Sequence, residues 1–106
     1  MSQINIEFFE AYKSLEKICN EMYGQNNSVT LYIFEMESTS QYDFNRIQGW
    51  DADLKKLKRV RHIRNGMAHE GSFNEEVCTE DDIFFIKSFY DRILFIYKVR
   101  LKIEGK

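Results

Sequence analysis

The chain has 106 residues, 43% of them hydrophobic and 15% aromatic, and carries a formal net charge of −2. That length fits a single domain, residues 1–106, and leaves no room for two, while the apolar content excludes a disordered tail. With no proline and five glycines, a many-turned β-sandwich is excluded too, and long helices on short connections are expected.

Residues 4–22 read as a first helix. Phe8, Tyr12, Leu15, Ile18 or Cys19, and Met22 recur at three- and four-residue steps, the spacing of one helical face. Gly24 stands where a helix end favours a left-handed residue. Glu7 and Glu10 interrupt the apolar stretch a signal peptide requires, and no apolar run approaches the ~20 residues of a membrane span. A cytoplasmic protein without membrane contact is therefore expected. Cys19 and Cys78 lie far apart with no CxxC pair, so half-buried reduced thiols are expected rather than a disulfide framework or metal site. No cofactor is implied.

Val29–Met36 contains Val-Thr-Leu-Tyr-Ile-Phe, a β-branched and aromatic run that would suit a strand. Nothing else in the sequence offers a partner strand. Val29, Tyr32, Ile33 and Met36 share a helical face, and Ser28 can cap it, so a short helix is expected. Ser38–Gln48 reads as a loop whose Tyr42 and Phe44 can fold back over the domain.

A third helix is expected from Asp51 to Met67, with Trp50, Leu54, Leu57, Val60, Ile63 and Met67 at steps of three and four. Asn65-Gly66 marks a break or kink, after which His69–Ser72 continue as a turn and Phe73–Cys78 link onward. Thr79-Glu80-Asp81-Asp82 then opens a last helix with a capping-box pattern and acids in its first turn, running to Ile103. The expected fold is all-α, a compact bundle of about four helices.

Six of the ten residues from Lys55 to Arg64 are Lys or Arg. Turning the third helix at about 100° per residue points Lys55, Lys58, Arg59 and His62 toward water. Arg64 points into the middle of the apolar arc, and Arg61 lies just inside its edge. A guanidinium cannot shed its charge, so each is either half of a buried ion pair or lines a cavity that receives an anion. His69 is either a helix-end surface residue or a proton shuttle, its pKa being near neutrality.

Arg64-Asn65-Gly66-Met67-Ala68-His69 resembles the Arg-(four to six residues)-His motif of the HEPN superfamily, including the polar residue after the arginine. The whole chain is similar to a small bacterial family of uncharacterised HEPN-like proteins, through Glu35-Met36-Glu37, Trp50-Asp51, Arg59–Asn65, Ala68-His69 and Cys78-Thr79-Glu80. The resemblance implies a compact helical bundle, often a dimer, and in many members a metal-independent endoribonuclease. The chain departs from the pattern twice. Gly71 stands where toxins paired with a nucleotidyltransferase antitoxin carry tyrosine. None of Glu7, Glu10 and Glu16 has Lys or Arg four positions on, a pairing common in catalytic members.

Metal-independent RNA cleavage would use His69 as general acid or base, Arg64 to clamp the phosphate, and Asn65 to hold the phosphate or orient His69, leaving a 2′,3′-cyclic phosphate. Lys55, Lys58, Arg59, Arg61 and His62 would receive the RNA backbone, unless they form only a solvated helix face. The alternative is a noncatalytic HEPN-like module that binds RNA, a nucleotide or an unidentified protein partner. On the last helix, Ile83, Ile86, Phe89, Tyr90, Ile93, Ile96 and Tyr97 fill a core-facing half. Phe84, Phe95 and Val99 fall outside it and are expected to form a homodimer contact, unless the Tyr42–Phe44 loop covers them.

Overall fold

The computed structural model describes residues 2–38, 50–70 and 77–103, the side chains of Trp50, Asp51, Ala68, His69, Glu70 and Arg100 excepted. Within them lie four helices and no strand: α1 (Gln3–Tyr23), α2 (Ser28–Ser38), α3 (Trp50–Glu70) and α4 (Glu80–Ile103). The expected Ser38–Gln48 loop with Tyr42 and Phe44 falls outside the described residues, apart from Ser38 itself, which ends α2.

Helix α1 starts where Ser2 accepts a hydrogen bond from the Asn5 backbone N–H (3.3 Å). It stops at Gly24, whose φ of 66° is left-handed and whose N–H closes on the Asn20 carbonyl (2.8 Å). A side chain would strain that backbone, which is why glycine belongs there. The face Phe8, Tyr12, Leu15, Ile18 and Cys19 is buried as the periodicity implies. One buried member is polar: Asn5 is fully enclosed, accepts from the Val77 N–H (3.2 Å), and takes the Cys78 thiol at 3.5 Å. An enclosed amide is tolerated only with partners, and here it ties the entry to α4 onto α1.

The β-branched run is helical because Val29, Ile33 and Met36, at i, i+4 and i+7, all enter the core. Ser28 does not cap this helix as expected. It is the first helical residue, its hydroxyl donates back to the Gln25 carbonyl (2.9 Å), and its N–H is accepted by Asn20 Oδ1 (3.1 Å). Asn27, at φ 57°, makes the turn into α2.

Helix α3 buries Leu57, Val60 and Met67. It runs on through Glu70 instead of ending near Met67, and Gly66 does not break it. Glycine lowers helix propensity but does not forbid the conformation, and packing of Val60 and Met67 on either side decides.

Helix α4 opens as its sequence implies. Asp82 N–H donates to Thr79 Oγ1 (3.2 Å) and Thr79 N–H donates to Asp82 Oδ2 (2.9 Å), a reciprocal cap. Ile83, Ile86, Phe89 and Ile93 are buried. Two side chains depart from the simple projection. Phe85 is buried, stacked on Phe89 at 5.3 Å, whereas Ile96 is half exposed. Phe84, Phe95 and Val99 lie outside the core, as expected.

Candidate functional site

Three helices and one turn enclose an open cleft of about 440 Å³. Tyr12 and Glu16, one turn apart on α1, form one wall; Arg61, Arg64 and Asn65 on α3 form the other. Gln25, Asn26 and Asn27 of the α1–α2 turn, with Thr30 and Leu31 of α2, close the end.

The turn is held there by α1. Helix α2 carries no acid in its first turn, so its opening amides need acceptors from elsewhere. Glu16 supplies them from α1, taking the backbone N–H of Val29 and Ser28, and Asn20 adds its side-chain oxygen four residues on. Glu16 is thus half-buried with its carboxylate engaged. Burial pushes its pKa above the usual carboxylate range, and the Val29 amide, Arg64 and the Ser28 amide only partly oppose this. The Tyr12 phenol is also pushed up, by burial first and by Glu16 second, with Arg64 and Arg61 acting the other way. It is a hydrogen-bond donor at neutral pH.

Arg64 lies between an aromatic ring and the cleft. Its guanidinium lies 5.8 Å from the Phe9 ring centroid, a cation–π distance, and the residue lines the cleft. Among the described residues, neither Arg61 nor Arg64 forms an ion pair. The cleft therefore holds two guanidinium groups against one carboxylate of weakened acidity.

The other sequence-predicted residues lie elsewhere. Lys58 is paired with Glu37 (2.6 Å). Arg59 grips Asp82 through both oxygens (2.8 and 3.0 Å), strapping α3 to the start of α4. Asp82 is buried, which alone would raise its pKa; the Arg59 fork and the Thr79 N–H and hydroxyl together hold it below the usual range. Lys55 and His62 are exposed. Of the five basic positions, only Arg61 opens into the cleft with Arg64 and Asn65. The side chain of His69 lies outside those described, but its backbone is helical. In an unbroken helix, positions 64 and 69 diverge by about 140°, and positions 65 and 69 by about 40°.

Sequence reading takes Tyr12 only as core and Gln25-Asn26-Asn27-Ser28 only as a short polar loop, and it weighs Glu16 only against a missing basic partner. A usable signal was present: an apolar helix starting at Ser28 without its own first-turn acid, preceded by Glu16 and Asn20 at i and i+4. Among the described residues no three His, Cys, Asp or Glu side chains cluster as metal ligands, and no helix is long and apolar enough to cross a membrane.

Residues 6–97 match a family described only as a family of unknown function (DUF6548), and the chain belongs to it. No curated protein and no solved structure matches the chain.

Proposed function

We propose that this cleft binds a phosphate group of RNA, and that the chain is a binding module of the HEPN type. The observation that carries the reading is the opening of Arg61 and Arg64 into one cleft with no ion-pair partner among the described residues. A guanidinium fork matches two phosphate oxygens at once. Asn65 and the Tyr12 hydroxyl add donors, and the Glu16 carboxyl beside them can accept from a ribose 2′-hydroxyl, the group that separates RNA from DNA. Fluorescence anisotropy with a labelled oligoribonucleotide tests this. Arg61→Ala and Arg64→Ala are each expected to weaken binding by about tenfold or more, the scale of one charge-assisted hydrogen bond. Unchanged affinity in both variants defeats the proposal.

A second reading, a metal-independent endoribonuclease, is favoured by one further observation: the raised pKa of Glu16 beside Arg64, which suits a carboxyl group to proton transfer. In that reading Arg64 and Asn65 hold the scissile phosphate, and His69 or Glu16 moves the proton. Incubation with mixed RNA in EDTA is expected to yield 2′,3′-cyclic phosphate ends, with a loss of about 100-fold or more in His69→Ala or Glu16→Gln. Cleavage that stops in EDTA yet persists in both variants removes this reading.

A further inference from the structure

The outer face of α4 carries large apolar side chains in water. Phe84 is 73% exposed and Phe95 70%, with Val99 and Ile103 beside them. Phe95, Val99 and Ile103 follow one another along the helix and Phe84 stands about three turns earlier; large apolar side chains left bare along one side of a helix mark a contact site. What distinguishes this stripe is its order. At about 100° per residue, Asp81, Phe84, Ser88, Phe95, Val99 and Lys102 fall within an arc of about 60°. Read from its two ends the stripe is self-complementary: acid then aromatic then small, against cation then aliphatic then aromatic.

We infer that two copies of the chain pair through this stripe with their α4 helices antiparallel. Laid about a two-fold axis between residues 91 and 92, Asp81 faces Lys102 of the second copy, Phe84 faces Val99, and Phe95 sits over the small Ser88. Every such pair occurs twice, as a two-fold interface requires. Asp81 and Lys102 are exposed and take no part in the ion pairs among the described residues, so both are available. Near the axis Asp91 comes beside Arg92 of the second copy, but Arg92 is already held by Asp53 of its own chain (3.0 Å) and adds little to the pairing. The opposed helix dipoles favour the same direction.

Area supports a stable pair. At the size of these side chains, Phe84, Phe95 and Val99 leave bare on the order of 700 Å² over two copies, and Ile103 and the charged stems at the rim bring the pair toward the threshold for a specific interface. The inference uses no residue of the Arg61–Arg64 cleft and stands or falls apart from it.

Sedimentation equilibrium at micromolar concentration tests it on the full chain. The wild type is expected to be a dimer. Phe84→Glu with Phe95→Glu is expected to be a monomer with unchanged helical circular dichroism, because neither side chain belongs to the core. Asp81→Lys alone is expected to weaken the dimer by roughly tenfold or more, since two attractive pairs become repulsive. Adding Lys102→Asp in the same chain restores it. A wild type that is monomeric throughout, or a dimer that survives the double glutamate substitution, overturns the proposal. So does failure of the second charge change to rescue the first, the result a parallel pair would give.

Discussion

Arg64→Ala separates a cleft residue from a structural ion pair, because the two roles differ several-fold in what the substitution costs. The side chain loses its contact with the Phe9 ring, made at 5.8 Å, worth about 0.5–1 kcal/mol at a partly exposed site. The half-buried Glu16 loses a favourable neighbour, adding a few tenths, and alanine returns about 0.2 kcal/mol as the better helix former. The expected net loss is therefore about 1 kcal/mol, or roughly 5 °C in Tm for a domain of this size. Were Arg64 instead half of a buried pair, its removal would strand a charge and cost about 3–5 kcal/mol. Urea denaturation followed by circular dichroism measures the difference, with RNA anisotropy on the same preparation. A loss above roughly 3 kcal/mol would refute the assignment of Arg64 to an open cleft, whatever happened to binding.

Asp82→Ala is expected to cost about 2–4 kcal/mol, since it removes the reciprocal cap of α4 and both bonds from Arg59. Arg59→Ala should cost about 1 kcal/mol or less, its side chain being more than half exposed; equal losses would show that the strap, not the cap, dominates. Because the folded-state pKa of Asp82 lies below its unfolded value, its contribution is complete above about pH 4 and fades as pH falls through the lower value. The gap between wild type and Asp82→Ala should narrow in acid melts, and a constant gap would contradict the pairing. Gly66→Ala should stabilise the chain by about 0.5–1 kcal/mol, because a Cβ there meets nothing within 4 Å and the backbone is already helical. Thermal melts showing destabilisation instead would argue for a bend at Gly66.

Local chemistry by itself determined the four helices and most of their ends. The three- and four-residue spacing from Phe8 to Cys19 identifies a buried face without knowledge of what covers it. Gly24 and Thr79–Asp82 act through backbone bonds to residues three or four positions away, so their role is readable from neighbours alone. The bare outer stripe of Phe84, Phe95 and Val99 was legible for the same reason. Tertiary structure decided the rest. Gly66 offered a break that packing on either side of it overrode. Phe85 went inward, stacked on Phe89, and Ile96 outward, which the angle about α4's own axis does not decide. The basic run of α3 was divided among Glu37, Asp82 and the cleft by which helix lies opposite each side chain. Glu16 became both a cap for α2 and a wall of the cleft only because α1 passes that helix's start. Spacing along one helix fixes an angle about its own axis; what stands at that angle is set by the crossing of another helix, and the sequence of the first contains no record of it.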